Sequence, residues 1–253
     1  MNRHLRLLLL MGVAVFLVAG CSSTNGASDI SVKIGDGQAS SGNGQFALSL
    51  ELLLALTVLS LVPAILMLAT SFTRIVVVLS LLRSAIGIPN LPPNQVILGL
   101  SFFLTMFVMA PTLTQANNDA LQPYLANTID QNAAIQKGMA PFRTFMLKQT
   151  REEDLQVFIG LSKEARPATA DDVSTEVLLP AFVVSELKTA FTMGFLLYIP
   201  FLIIDLVVAS ALMSMGMVMV SPTQIALPFK LLLFVMVDGW DLISKALVSS
   251  YHL

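Results

Sequence analysis

The sequence predicts an all-α membrane protein, built from hydrophobic helical hairpins that are interrupted by a polar insert of amphipathic helices. Three observations carry this prediction. The 253 residues are 55% hydrophobic and only 12% charged, whereas soluble domains carry about 25% charged residues. The stretches Phe46–Ala69, Val96–Leu113, Thr189–Met213 and Ile225–Val248 are each close to the length of a spanning helix, which takes about 20 mostly apolar residues. Half of the charge is gathered elsewhere: residues 114–178 hold 15 of the 30 charged side chains, six basic and nine acidic.

Composition also narrows function. A net charge of −2 leaves no basic footprint for a phosphate backbone, so nucleic acid is not an expected partner. Cys21 is the single cysteine, which excludes an internal disulfide and a Cys-based structural zinc site. The two histidines, His4 and His252, stand at opposite ends, and His4 falls in a segment expected to be removed. Histidine catalysis and metal binding are therefore poorly supported, and no cofactor is expected.

Residues 1–21 read as a cleaved signal peptide. Arg3, His4 and Arg6 precede the apolar run Leu7–Val18, then Ala19-Gly20-Cys21 and a polar Ser-Ser-Thr-Asn-Gly stretch, the charged, apolar, small-residue order of an export signal. Val18-Ala19-Gly20-Cys21 also resembles a lipoprotein processing site, which would make Cys21 a lipidated amino terminus; ordinary cleavage nearby is the alternative. Residues 22–46, rich in Gly, Ser, Asn and Asp, have too little apolar surface to offset ordering entropy and are expected to form a flexible exported tail. Gly42-Asn43-Gly44-Gln45-Phe46-Ala47 matches a dinucleotide-binding fingerprint by letter only, because no hydrophobic strand precedes it and no βαβ context follows.

Residues 47–113 form the predicted first hydrophobic hairpin, with the apolar piece Ile75–Leu82 flanked by Arg74 and Arg83. Residues 114–178 form the polar insert. Phe142, Phe145 and Met146, then Leu155, Phe158 and Ile159, recur at helical spacing and predict two amphipathic helices packed on each other. Thr150-Arg151-Glu152-Glu153 reads as a capping box that starts the second helix, and Arg166-Pro167 would end it. Residues 179–253 form the second hydrophobic hairpin. Arg74 and Arg83 lie in a short loop without acids, while the insert is net negative, so the positive-inside tendency puts that loop in the cytoplasm. The insert and both mature termini then face the periplasm.

Ionisable groups inside apolar helices are costly and usually face a bundle interior or a water-filled path. Asp205, Lys230 and Asp238 meet that description. One reading pairs Lys230 with Asp238, within or between subunits, to lock an assembly; a proton relay lacks a histidine or a carboxylate chain. Glu186 and Lys188, in Pro180–Phe191, stand at the mouth of the third window, two apart and thus on different helix faces. They read either as partners for a neighbouring copy or as a solvated helix start, with Glu186 near the positive dipole end. Met213-Ser214-Met215-Gly216-Met217-Val218-Met219 places four methionines around a glycine shortly before Pro222. That is a loop or broken helix, tolerated at membrane depth only when shielded or lining a cavity, and methionine there would be either an adaptable core filler or a deformable seal.

Three segments together, Thr73-Arg74-Ile75-Val76-Val77-Val78, Pro180–Phe191 and Ile225-Ala226-Leu227-Pro228-Phe229-Lys230 through Asp238-Gly239-Trp240, resemble the FliP family of the flagellar type III protein export gate, with the likeness running from about Ser49 to the carboxyl end. The resemblance implies an inner-membrane subunit at the flagellar basal body, with five copies joining FliQ and FliR and other export-apparatus membrane proteins within membrane lipid. Unfolded protein cargo would pass through the middle. It also implies a methionine gasket, carried over to Met217 and Met219, with Met215 adding to it. This chain departs from three consecutive methionines because Val218 interrupts them. In such a complex the hydrophobic hairpins need not each cross the bilayer.

Three function classes follow. The first is a protein-conducting channel subunit without chemistry of its own, flagellar by its signal peptide and tail; the injectisome export gate, which shares the core motifs, is the alternative. The second is an ion or small-solute transporter using Asp205, Lys230 and Asp238, which would call for internal symmetry that the halves do not display. The third, an intramembrane hydrolase, wants a nucleophile with a base, and the sequence has no G-x-x-x-x-G-K-[ST], H-E-x-x-H or G-x-S-x-G motif.

Overall fold

A computed structural model describes residues 67–88, 91–162, 167, 169, 172–217 and 219–251, with scattered positions between 53 and 64. All of them belong to the unit Leu52–Leu253. The expectations for the signal peptide, Cys21, the exported tail, Val218 and His252 lie outside the described residues.

Every described element is helical. They are α1 (Phe72–Ile86), α2 (Asn94–Ala116), α3 (Gln122–Leu125), α4 (Gln131–Gln149), α5 (Glu152–Leu161), α6 (Thr175–Ser214), α7 (Pro222–Met236) and α8 (Gly239–Ser249). A π-helical turn, Asn117–Leu121, joins α2 to α3, so that one helix of 32 residues runs over Asn94–Leu125. This helix and the 40-residue α6 are long and apolar enough to cross a membrane. They contain the second and third apolar windows, and each extends into the stretch 114–178 that composition set apart.

The architecture is organised by α6, against which α1, α4, α5 and α7 all pack, while α1 also packs on α2. The core follows helical periodicity: Ile75, Val78, Leu82 and Ile86 of α1 share one buried face with Arg74. At Gly194 the Leu81 side chain of α1 lies so close against α6 that a Cβ there would run into it. The aromatic pair Phe145 and Phe182, at 6.0 Å edge to face, joins α4 to α6.

Several expectations are corrected. The two insert helices exist, but α4 and α5 each pack on α6 and not chiefly on each other. The reason is that α6 begins at Thr175, early enough to offer both of them an apolar face. α5 does start at Glu152, yet without a side-chain cap: Thr150 Oγ1 donates back to the Met146 carbonyl at 2.7 Å, and the Arg151 amide donates to Ser185 Oγ at 2.9 Å. A tertiary contact thus takes the place of the capping box. The helix ends at Leu161, before Arg166-Pro167.

The fourth window is not one helix. It breaks at Asp238, whose φ of 48° is left-handed, and Gly239 follows with the Phe234 ring so close that a Cβ would lie 2.2 Å from it. Only glycine fits beneath that ring.

Candidate functional site

Two sites stand at different depths of the chain: a buried charge cluster in the first half of α6 and an exposed methionine turn at its end. The cluster begins with α1. Arg74 lies on the same face as Ile75 and Val78, so the packing that buries those residues carries the guanidinium inward, to 2% exposure. It meets Glu186, itself fully buried. Arg74 Nε donates to Glu186 Oε2 at 2.8 Å, and Nη2 donates to Oε1 to complete a bidentate pair. Nη1 donates to the Ser250 carbonyl and to Ser250 Oγ, each at 3.0 Å. The guanidinium carbon sits 4.0 Å from the centroid of the Tyr251 ring, a cation–π contact in a desolvated setting.

Tyr251 closes the cluster. Its hydroxyl donates to the Ser71 carbonyl at 3.0 Å and to Glu186 Oε2 at 3.4 Å, and its ring stacks on Phe145 at 6.1 Å. Burial, with the neighbouring Glu186 carboxylate adding to it, pushes the Tyr251 hydroxyl well above the usual tyrosine range. Every nitrogen of Arg74 is thereby occupied, which is the condition for tolerating a buried charge. The chemistry of this arrangement is that of a clamp. It joins α1, α4, α6 and the carboxyl end of the chain.

Lys230 of α7 forms a second junction. Its Nζ donates to Asp205 Oδ2 at 2.7 Å and to the Ala85 carbonyl at 3.2 Å, in the last turn of α1, just before Gly87 takes the left-handed φ of 82° that ends that helix. An ammonium at a helix carboxyl end satisfies both orphan carbonyls and the negative dipole end. Lys188 is exposed and pairs with the buried Asp154 of α5.

These partners correct the sequence expectations. Within the chain Lys230 is bound to Asp205, and Asp238 is exposed at the α7–α8 turn, with a backbone role in starting α8. Glu186 does not stand at a helix mouth, since α6 starts at Thr175, and both Glu186 and Lys188 find partners inside their own chain. Sequence reasoning missed Tyr251, Ser250, Ser71 and Asp154. The signal for Tyr251 was present: Ile243, Leu247 and Tyr251 recur at intervals of four and are all buried. No comparable local pattern marks Asp154, whose partner is 34 residues away.

The methionine turn lies at the other end of α6. The helix stops at Ser214, and Gly216 takes a left-handed φ of 76°. The Gly216 amide donates to the Met213 carbonyl and the Met217 amide to the Leu212 carbonyl, each at 3.0 Å. This is a Schellman turn, in which the backbone satisfies its own carbonyls. Met213, Met215, Met217 and Met219 are all exposed. Among the described residues, no group of three His, Cys, Asp or Glu side chains is placed to hold a metal ion.

Comparison with known proteins adds the lineage. The chain is 53% identical over 211 residues to the flagellar biosynthetic protein FliP of Pectobacterium carotovorum subsp. carotovorum, covering 83% of this chain and 82% of that relative. It is 52% identical over 203 residues to FliP of Bacillus subtilis (strain 168), covering 80% and 92%, and 52% identical over 213 residues to FliP of Aquifex aeolicus (strain VF5), covering 83% and 89%. The family profile described as FliP family matches residues 55–247, and with relatives this similar over most of their length the chain belongs to the FliP family.

Proposed function

We propose that this chain is the pore-forming subunit of a flagellar type III protein export gate in the bacterial inner membrane. Five copies assemble with FliQ and FliR, and unfolded flagellar subunits pass through the centre, with no chemistry performed by the chain itself. The amino-terminal 21 residues serve as a cleaved export signal, and the insert faces the periplasm. The observation that carries the reading is the likeness, at about half of the aligned positions, to relatives named flagellar biosynthetic proteins. The uncovered face of α6 supports it: Phe195, Leu196, Leu202, Ile203, Leu206 and Val207 are all exposed in the single chain. A patch of that size calls for lipid or protein cover. Met215, Met217 and Met219 act as the gasket of the closed pore, because flexible thioethers can pack against one another and part around a polypeptide. The Arg74–Glu186 and Lys230–Asp205 pairs hold the helices that carry it.

Two measurements test the proposal. Cells lacking the chain are expected to retain flagellar filament protein inside, and a copy of the gene restores its appearance in the medium; unchanged export without the chain overturns the reading. Replacing Met215, Met217 and Met219 with alanine is expected to raise ion leakage while the complex still assembles. Tight cells would move the gasket elsewhere.

A further inference from the structure

Met109 and Met146 are buried in the core, Met67, Met106, Met139 and Met236 stand exposed singly along the chain, and four exposed methionines gather within seven residues at the end of α6. Met109 and Met146 are each 1% exposed in the core, whereas Met219 is 99% and Met213 68% exposed, with Met215 and Met217 beside them. Thioether oxidation follows access to the sulfur. From this gathering we propose that Met213, Met215, Met217 and Met219 form a reversible oxidation site for peroxides, and that their sulfoxidation loosens the seal formed by this turn. The second half of the proposal rests on the gasket reading above; the first half does not.

The step balances without a metal or cofactor. A sulfur lone pair of the methionine attacks the distal oxygen of hydrogen peroxide, the O–O bond breaks and an S=O bond forms. Sulfur gives up two electrons, and the peroxide leaves as water. Methionine sulfoxide reductases reverse the change.

The turn's own geometry explains why oxidation changes polarity without unfolding the chain. Its shape rests on two backbone hydrogen bonds, from Gly216 to Met213 and from Met217 to Leu212, and on the left-handed Gly216, none of which involves a thioether. Leu212 anchors the turn in the interior. The sulfurs can each acquire a polar oxygen while the helix end stays in place. An apolar, deformable side chain becomes a polar one, and side chains that met by excluding water then hold it.

The test uses the full chain, assembled in native membranes and titrated with hydrogen peroxide. Peptide mass spectrometry is expected to show sulfoxide at the four turn methionines accumulating at least about tenfold faster than at Met109 and Met146. Ion leakage is expected to rise in step and to fall again after treatment with sulfoxide reductases. In a variant with Met213→Leu, Met215→Leu, Met217→Leu and Met219→Leu, peroxide should cause no further change in leakage. Met236→Leu, which removes an exposed methionine of α7, should leave the peroxide response intact. Turn methionines that oxidise no faster than Met109 overturn the oxidation site, whatever the channel does. If they oxidise and leakage stays flat, alanine replacements decide what failed. A leak in the alanine variant alone overturns the oxidative loosening and spares the gasket. A tight alanine variant overturns both.

Discussion

From Thr175 to Gly194, α6 buries Val177, Leu178, Ala181, Phe182, Ser185, Glu186, Ala190 and Gly194; from Phe195 to Ser214 it buries only Phe201 and Leu212. Both halves are apolar, and both belong to one continuous helix. The first half is surrounded by α1, α4, α5 and the carboxyl end, and it uses that enclosure to hold a charge pair whose partners would be untenable alone. The second half has little of its own chain around it and ends in the methionine turn. Hydrophobicity therefore does not say what a segment is for. The enclosed half spends its apolar surface on the fold of this chain, and the bare half leaves its apolar surface largely uncovered by the described residues.

The contrast can be broken most decisively at the charge pair. Glu186→Ala or Arg74→Ala strands an uncompensated buried charge, and a loss of about 3–5 kcal/mol is expected in thermal or denaturant unfolding of the detergent-solubilised chain. The double replacement Arg74→Met with Glu186→Leu should recover most of that loss, since the penalty lies in the unpaired charge. If the double variant is as unstable as the single ones, the pair is not acting as a compensated unit. Next in size is Gly194→Val, which drives a side chain into Leu81 and should cost about 1–3 kcal/mol by overpacking. Stability equal to the parent would mean that α1 and α6 do not approach so closely.

Tyr251→Phe keeps the ring over Arg74 but removes the hydroxyl that reaches Ser71 and Glu186, for an expected loss of about 1 kcal/mol at neutral pH. The same residue sets a pH dependence. Its hydroxyl titrates at a higher pH in the folded than in the unfolded chain. Its contribution is fully present below about pH 10, the ordinary tyrosine value. It is lost as the pH climbs above that toward the folded value, because only the unfolded chain then releases the proton readily. Melting followed into the alkaline range should show an extra decline in the parent that Tyr251→Phe lacks; parallel curves would discount the burial of this hydroxyl. The smallest effect belongs to the bare half of α6. Phe195→Ala and Leu206→Ala should stay within about 0.5 kcal/mol in the isolated chain, while export or assembly assays respond. A large loss of monomer stability there would mean that this face is covered by its own chain.

Local pattern made much of this legible. Apolar windows located the two long helices, helical spacing located α4 and α5, and the glycine before Pro222 located the methionine turn. Each of these signals is read within a few residues, and backbone chemistry acts at that range. The capping box failed because the Arg151 amide found Ser185 across the fold, and the fourth window failed because the Phe234 ring settled over Gly239.

By itself, then, the sequence determined the helical class, the separation of apolar from polar segments, and which ionisable side chains were out of place in apolar surroundings. The tertiary structure alone decided their partners. Arg74 lies 112 residues from Glu186 and 176 from Ser250, and Lys230 lies 145 from Ala85. A buried charge states only that it requires compensation, and any carboxylate could answer that requirement. Which one does depends on how α1, α6, α7 and the carboxyl end pack, and that packing is a sum over many weak contacts that no short motif records.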